Sequence, residues 1–179
     1  GEFGTFTIEL SLIVDVGLIG LPNAGKSTMI NALTNTRAKV GAYPFTTLEP
    51  QLGELYGFVL ADIPGLIEGA SEGKGLGHKF LKHVRRTKMI AHLVSAENED
   101  VVDVYKTVRK ELEAYDPELG KKEEVIILSK SDTVDAKELE KKAKALKKKN
   151  PNVYALSAID DASLKEFKDT LVKLVRKNK

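Results

Sequence analysis

The sequence predicts a three-layer α/β/α fold built on a mostly parallel sheet, and two observations support this prediction. Short continuous apolar runs alternate with amphipathic stretches whose apolar residues recur at helical spacing. Continuous apolar runs are typical of parallel strands that are buried on both faces, so helices must cover both sides of the sheet. In such sheets, ligands bind at the carboxyl ends of the strands, so the loops that follow the strands are where chemistry is expected.

The elements follow this alternation along the whole chain. The first strand runs into a loop rich in glycine and proline, and a helix follows the loop. Two later strands are joined tightly at Gly57. The predicted strands are 14–19, 52–56, 58–63, 89–94, 125–128 and 153–156. The predicted helices are 27–34, 77–86, 101–115, 136–148 and 164–175.

Length and composition restrict the class of protein. The 179 residues suit one compact domain, with 42% hydrophobic and 30% charged residues as in ordinary globular proteins. A net charge of +2 does not select a nucleic-acid or membrane partner. The absence of cysteine excludes disulfide and thiolate–metal frameworks. No apolar run reaches the roughly 18 residues of a membrane span, and no secretory signal opens the chain. We therefore expect a cytoplasmic monomer with no membrane partner.

The loop after the first strand carries a phosphate-binding pattern. Residues 20–27 read GLPNAGKS and match G-x-x-x-x-G-K-[ST] between a strand and a helix. The glycines let successive backbone N–H groups point at phosphate oxygens, and the helix amino terminus adds a partial positive charge. Lys26 would reach the β- and γ-phosphates, and Ser27 would bind Mg²⁺. The other predicted contacts of this loop are Gly20, Pro22, Asn23, Ala24, Gly25 and Thr28. The alternative is a tight turn with an incidental lysine.

A second loop contains a candidate for reading the nucleotide base. Residues 129–132 read SKSD and follow the strand at 125–128. A carboxylate at Asp132 can accept hydrogen bonds from guanine N1–H and the 2-amino group, and adenine has no such donor pair at that edge. Since hydrogen bonds to a charged group contribute about 1.5–3 kcal/mol each, two of them favour guanine by roughly two to four decades. The Lys130 stem could lie across the base, and a backbone N–H after the next strand could meet guanine O6. The predicted base-side contacts are Ser129, Lys130, Asp132, Ser157 and Ala158.

Four segments together carry a family resemblance. They are 17–28 (GLIGLPNAGKST), 41–50 (GAYPFTTLEP), 61–70 (ADIPGLIEGA) and 73–78 (GKGLGH). These segments closely resemble the guanine-nucleotide domain of the Obg GTPases, and the resemblance covers about residues 10–175. It implies a Ras-like P-loop NTPase fold, with GTP as substrate, GDP as product, Mg²⁺ as cofactor and phosphoryl transfer to water as the reaction. It also implies a link, through the full-length protein, to assembly of the large ribosomal subunit.

The resemblance predicts the bounds of the domain and shows two positions at which this sequence differs from the usual family pattern. Residues 12–179 are expected to form the Obg-type domain, and residues 1–11 an amino-terminal remnant or linker. Full members of the family carry a glycine-rich domain before this one, so we expect a piece of a longer protein. The family usually has Asn where Ser129 stands and Asp near Ser95. We call residues 129–132 the base loop and residues 20–27 the phosphate loop. The shorter side chain of Ser129 is expected not to bridge these two loops, which would lower the affinity for the nucleotide about tenfold.

The resemblance also assigns the residues that sense the γ-phosphate. Thr47 would bind Mg²⁺ and a γ-oxygen, with Thr46 as the alternative if the register is shifted by one. Asp62 would hold Mg²⁺ through water, and the Gly65 N–H would contact the γ-phosphate. Phe45 is the remaining predicted contact of this region. The predicted metal ligands are therefore Ser27, Thr47 and Asp62.

Hydrolysis is expected to be slow. Leu66 stands where Ras has the Gln that orients the attacking water, so orientation must come from another switch residue, a bound cation or a partner. Asn23 is a candidate K⁺ ligand, since several GTPases with P-N-x-G-K-S loops use the matching Asn in this way; the alternative is an Asn that suits the turn. The predicted catalytic residues are Lys26, Thr47, Gly65 and Asn23. Two alternatives stay open, a guanine-nucleotide sensor with negligible turnover and an ATP-binding protein.

Two groups of residues are not expected to act in catalysis. His78, His83 and His92 lack metal-ligand spacing. The basic run at 137–149 reads as a solvated helix face on which Glu138 and Glu140 pair locally. The alternative for this run is a contact with RNA.

Overall fold

The structure, a computed structural model, describes residues 13–34, 39–40, 51–63 and 84–178, and only the backbone at 39–40. Seven strands in these ranges form one sheet. They are β1 Val16–Gly20, β2 Lys39–Val40, β3 Gln51–Leu55, β4 Phe58–Asp62, β5 Met89–Ser95, β6 Glu123–Ser129 and β7 Val153–Ala155. The helices are α1 Lys26–Leu33, α2 Val101–Tyr115, α3 Pro117–Gly120, α4 Ala136–Lys147 and α5 Asp161–Lys177, with a short 3-10 helix at Ser131–Thr133.

The strand order places several loops at one edge of the sheet. The order is β2-β3-β4-β1-β5-β6-β7. Strand β1 pairs in parallel with β4 and β5, and the pairs β5–β6 and β6–β7 are also parallel. Strand β3 is antiparallel to both β2 and β4. The carboxyl ends of the five mutually parallel strands therefore meet at the same edge, where ligands bind in open α/β sheets.

Helices cover both faces of the sheet. Successive strand residues point to opposite faces, so Leu18 packs with α1 and α5 in one apolar cluster while Ile19 packs with α2 in another. Likewise Ile127 faces the α1–α5 side and Ile126 faces α2 and α4. The predicted three-layer fold with a mostly parallel sheet is confirmed.

The amino termini of the described α-helices are of two kinds. Helices α2, α3, α4 and α5 each follow an aspartate whose carboxylate accepts hydrogen bonds from backbone N–H groups of the first turn. These aspartates are Asp100, Asp116, Asp135 and Asp160. Helix α1 instead follows Gly25, no described side chain caps it, and its first turn contains no acidic residue. The first N–H groups of α1 are therefore available to an anion from outside the helix.

The predicted elements within the described ranges are confirmed to within three residues at each end. The largest shift is at α5, which begins three residues before the predicted start because Asp160 caps it ahead of the first apolar residue. The short elements β2, α3 and the 3-10 helix were not predicted, because two to four residues are too few for a periodic pattern. The helix predicted at 77–86 lies outside the described residues except for its last three.

A buried polar cluster lies within the sheet and under α2, away from the loops at the carboxyl edge. His92 of β5 is fully buried, and its Nδ1 lies 3.0 Å from Oε1 of Glu124 at the start of β6. Tyr105 of α2 donates its hydroxyl proton to Glu124 Oε2 at 2.9 Å. Arg109 lies 3.5 Å from the same oxygen and donates to Gly120 O. The cluster joins β5, β6, α2 and α3.

Candidate functional site

The loop between β1 and α1 has the backbone shape that the phosphate-binding pattern requires. At Gly20, a Cβ atom would come within 2.6 Å of the Leu93 backbone oxygen, so any side chain would displace the loop. Gly25 has a φ of 89°, which glycine adopts without strain. Asn23 has a φ of 66°, a value that asparagine tolerates better than most residues. Its side chain is exposed, as is that of Pro22, whereas Ala24 is buried.

The ammonium group of Lys26 lies against the phosphate loop. Lys26 Nζ donates to Gly20 O at 3.1 Å and Leu21 O at 3.3 Å. These contacts hold the positive charge beside the loop at the amino terminus of α1. Ser27 and Thr28 follow in the first helical turn, Ser27 partly buried and Thr28 exposed. A phosphate here would meet backbone N–H groups and an ammonium group at once.

Asp62 lies at the same edge of the sheet as the phosphate loop. It ends β4, pairs in register with Leu18 of β1, and is followed by Ile63, whose N–H donates to Leu18 O at 3.0 Å. The pairing places a carboxylate beside the strand that leads into the phosphate loop. A serine hydroxyl, a carboxylate and phosphate oxygens form the hard oxygen set that Mg²⁺ prefers. In the described part of the chain, no group of three or more His, Cys, Asp or Glu residues could hold a metal ion by itself.

Ser129 connects the base loop directly to the phosphate loop. Its hydroxyl, on the last residue of β6, donates to the backbone oxygen of Ala24 at 2.7 Å and lies 3.4 Å from Val94 O. The side chain is buried. The expectation that serine is too short to bridge these loops is therefore wrong. The reason is that the bridge runs to a main-chain carbonyl close to the end of β6, so a short hydroxyl is long enough.

The remaining base-loop residues are held between β6 and the loop after β7. Lys130 has a φ of 56° and precedes the 3-10 helix that contains Asp132, whose side chain is exposed. The Ser131 N–H donates to Leu156 O at 3.2 Å. After β7, Ser157 is buried and its hydroxyl accepts from the Ile159 N–H at 3.3 Å, while Ala158 is partly exposed between them. The structure therefore brings the two predicted base-side segments together.

Glu97 is a neighbour of the base loop that the sequence analysis missed. Its Oε2 lies 2.5 Å from Lys130 Nζ. The hydrogen bond from Lys130, aided by its positive charge, lowers the pKa of the Glu97 carboxyl. The Glu97 N–H donates to Ser95 Oγ at 3.2 Å, so the serine at the second family departure shapes this turn. The sequence did contain a signal for this contact, because Glu97 lies just after the end of β5 and β5 is adjacent to β6 in the sheet.

A cavity of about 230 Å³ lies between the phosphate loop and the turn after β5. Its walls include Pro22, Asn23, Ser95, Glu97 and Lys130. Across this cavity, the exposed residues of the phosphate loop face the Glu97–Lys130 ion pair.

The basic helix α4 is less uniformly solvated than the sequence predicts. Lys142 is buried, and its Nζ donates to Ala96 O at 2.7 Å and pairs with Glu138. Lys144 pairs with Glu140 on the exposed side, as predicted. The sequence places Lys142 among several other lysines of the same helix, so only its position on the helix face could have singled it out.

Several predicted residues cannot be placed. Phe45, Thr46, Thr47, Gly65 and Leu66 lie outside the described residues. So do His78 and His83. No helix in the described ranges is both long and apolar enough to cross a bilayer.

A mostly parallel sheet, whose first strand leads through a glycine loop to an uncapped helix amino terminus, defines a P-loop nucleotide-binding domain. A family model described as "50S ribosome-binding GTPase" matches residues 15–130, and the chain belongs to that family. The chain is 50% identical over 173 residues to the GTPase Obg of Rhizorhabdus wittichii, covering 94% of this chain and 50% of that protein. The Obg-type guanine-nucleotide domain is thus confirmed, and the chain spans about half the length of that curated relative.

Solved structures agree with the fold. A structure titled as a complex of SsGBP and GDP superposes with a TM-score of 0.68 at 19% identity, over 96% of this chain and 53% of that chain. The G domain of the T. maritima FeoB iron transporter superposes with a TM-score of 0.61 at 22% identity, over 90% of this chain and 98% of that chain. At these identities the likeness concerns the fold alone.

Proposed function

We propose that this chain binds GTP and GDP with Mg²⁺ and hydrolyses GTP slowly, as the switch domain of a longer protein. The observation that carries the proposal is the amino terminus of α1. It is the described α-helix without an aspartate cap, and Lys26 lies beside it. The nucleotide phosphates would take the place that aspartate carboxylates take at the other described α-helices.

The phosphate side of the site acts mainly by positioning. The backbone of residues 20–28 and the Lys26 ammonium would hold the β- and γ-phosphates. Ser27 and Asp62 fit the oxygen ligands of Mg²⁺, and the ion would neutralise charge on the phosphate oxygens when bound. By family resemblance, Thr47 and Gly65 would sense the γ-phosphate, with Phe45 and Thr46 beside them.

The base side of the site would select guanine. The exposed carboxylate of Asp132 would accept from N1–H and the 2-amino group, with the Lys130 stem across the ring. A backbone N–H of Ser157 or Ala158 would meet O6. This arrangement is supported by the hydrogen bond from Ser131 to Leu156, which ties the two segments together.

The first experiment is competition of GDP and ADP against a fluorescent guanine nucleotide in Mg²⁺ buffer. The chain has no tryptophan, so the label supplies the signal. We expect GDP to displace the label at least about a hundredfold better than ADP. Equal competition would favour the ATP-binding alternative, and absence of label binding would contradict the nucleotide site.

Turnover is expected to depend on a monovalent cation. Leu66 has no group that can orient the attacking water, and Asn23 is exposed on the phosphate loop where a K⁺ ion could bind. We expect faster single-turnover hydrolysis in KCl than in NaCl. Equal rates would contradict the K⁺ role and leave Asn23 with its turn role. Rates indistinguishable from spontaneous hydrolysis in both salts would support a guanine-nucleotide sensor, the second candidate function.

The partner of the longer protein is proposed to be the large ribosomal subunit, on the description of the family model. Cosedimentation of the full-length protein with large subunits, in GTP and in GDP, tests this proposal. Binding that is independent of the nucleotide would contradict a switch. Within the chain, we propose that residues 12–179 form the guanine-nucleotide domain.

A further inference from the structure

Lys142 is a buried cation on a helix whose other lysines are exposed. Its residue is 8% exposed, and its Nζ donates to Ala96 O at 2.7 Å and pairs with Glu138 one turn earlier on α4. Burying an ammonium group is unfavourable unless the group is paired and hydrogen-bonded, and Lys142 meets both conditions. The contact ties α4 to the turn that follows β5, 46 positions earlier in the sequence.

The carbonyl that Lys142 holds belongs to the peptide group between Ala96 and Glu97. The N–H of the same peptide group is that of Glu97, and it donates to Ser95 Oγ at 3.2 Å. Because a peptide group is planar and turns as one unit, hydrogen bonds at both of its ends fix its orientation. That orientation sets the direction in which the Glu97 side chain leaves the backbone.

The preceding peptide group of this turn is held in the same way. The Ala96 N–H donates to Ser129 O at 2.8 Å, and Ser95 O accepts from the backbone and side-chain N–H groups of Asn98 at 3.2 and 3.1 Å. Two consecutive peptide groups are therefore fixed at both ends. Among these contacts, the one from Lys142 is made by a side chain that lies outside the turn.

Glu97 transmits the orientation of the turn to the base loop. Its Oε2 lies 2.5 Å from Lys130 Nζ, and both residues line the cavity beside the phosphate loop. Under the proposed function, the Lys130 stem lies across the guanine ring, so the place where its ammonium group is held decides how the stem lies. Lys142 is not among the described residues that line this cavity, so its influence must pass through the turn.

We propose that Lys142 is a positioning residue for recognition of the base, because it fixes the peptide group that directs Glu97 at Lys130. The proposal rests on the proposed function and extends it to a helix that contributes none of the predicted nucleotide contacts. It assigns the buried lysine of α4 a role in affinity for the nucleotide in addition to its role in packing.

The main test is Lys142→Met, which removes the ammonium group and keeps most of the length of the side chain. In competition with a fluorescent guanine nucleotide, GDP affinity should fall by about three- to tenfold, the size of one hydrogen bond. Pyrophosphate, which uses only the phosphate loop, should compete within about twofold of its value on the unmodified chain. Unchanged GDP affinity, or equal losses for GDP and pyrophosphate, would overturn the proposal.

Lys144→Met is the matched control. Lys144 pairs with Glu140 at the same spacing on the same helix, but on the exposed side. The variant should leave both affinities within about twofold of the unmodified chain. A loss of GDP affinity as large as that of Lys142→Met would mean that the charge of the helix acts, and not the contact with Ala96.

A double-mutant cycle with Glu97→Ala tests the route of the effect. Once the Glu97 side chain is absent, Lys142→Met should change GDP affinity by less than about twofold, because the two residues act in series. An undiminished effect of Lys142→Met in this background would contradict the proposed route.

Ser95→Ala provides an independent test should Lys142→Met not fold. It removes the contact at the other end of the same peptide group, so GDP should weaken by about two- to tenfold while pyrophosphate is spared. Equal binding of GDP to Ser95→Ala and the unmodified chain would count against the proposal. Failure of GDP to displace the label from the unmodified chain would instead overturn the proposed function, and this proposal with it.

Discussion

The phosphate loop and the base loop meet at one hydrogen bond, yet they present different parts of the chain to a nucleotide. The phosphate loop presents backbone, shaped by Gly20 and Gly25, with Lys26 as its charged side chain. The base loop presents side chains, on residues 129–132. Both departures from the family pattern, at Ser129 and Ser95, lie on the base side. A backbone surface is insensitive to most substitutions, whereas a side-chain surface changes its specificity with one residue.

The largest effect is expected from Asp132→Asn. The variant replaces an acceptor of two hydrogen bonds with an amide that turns donors toward guanine, so GDP affinity should fall by roughly a hundredfold to ten-thousandfold. Xanthosine diphosphate, which has a carbonyl in place of the 2-amino group, should bind the variant better than the unmodified chain. Displacement of the fluorescent label measures both.

Loss of guanine binding without any gain for xanthosine diphosphate would mean that the substitution damaged the fold of the loop. Pyrophosphate provides the matched control, because it uses only the phosphate loop. Its binding should be the same in the variant and the unmodified chain.

Lys26→Ala should give the next largest effect, and a different pattern. Removing one ammonium group from charge-assisted contacts with phosphates should weaken binding by about a hundredfold. GDP and xanthosine diphosphate should lose affinity alike, because the variant leaves the base loop unchanged. Lys26→Arg is the matched control that keeps the charge. A change in the ratio between bases in Lys26→Ala would contradict the division between the two loops.

Glu97→Gln should have a small effect on the base side. Glu97 holds Lys130 at the edge of the base loop through a solvent-accessible ion pair, and such pairs contribute little. We expect GDP affinity to fall by no more than about fivefold, with less difference between variant and unmodified chain at high salt. Competition at two salt concentrations measures this. A loss above tenfold that is insensitive to salt would mean that Glu97 contacts the ligand.

The same division explains how much the sequence alone could predict. The phosphate loop is a contiguous motif between a strand and a helix. The role of residues 20–28 could therefore be predicted from the sequence, together with the strand before them and the helix after them. Strand and helix positions followed from apolar periodicity, and within the described ranges the errors are confined to the ends of elements and to three short elements. The capping aspartate Asp160 shows the cause, since it begins α5 before the first apolar residue.

The base side required contacts between distant residues, and these were less predictable. The bridge from Ser129 to Ala24 spans 105 positions in the sequence, and its existence depends on how closely β6 approaches the phosphate loop. Glu97 reaches Lys130 because β5 and β6 are neighbours in the sheet. Lys142 turns inward from a basic run to hold Ala96. Periodicity indicates which face a residue occupies, but not how near a distant backbone carbonyl will lie.

His92 is remote from both loops and should affect stability instead of binding. Burial, the largest influence, lowers the pKa of His92 below its ordinary value of 6.5, opposed by Glu124 and assisted by the positive charge of Arg109. As the pH falls below about 6.5, the unfolded chain binds a proton that the folded chain resists. The stability associated with neutral His92 is therefore complete above this pH and is lost below it, by at most about 1.4 kcal/mol for each pH unit.

Urea unfolding of the unmodified chain and of His92→Gln, at several values between about pH 7.5 and pH 5, measures this loss. Glutamine can still donate to Glu124 but does not titrate, so the free energy of unfolding should vary less steeply with pH in the variant. GDP affinity at neutral pH should agree within about twofold between the two, because His92 lies three residues before the end of β5 and pairs with Ile126 inside the sheet. Equal slopes would show that another group governs the acid sensitivity. A large loss of GDP affinity would show that the buried cluster is coupled to the loops at the carboxyl edge, and that the site does not divide into only two parts.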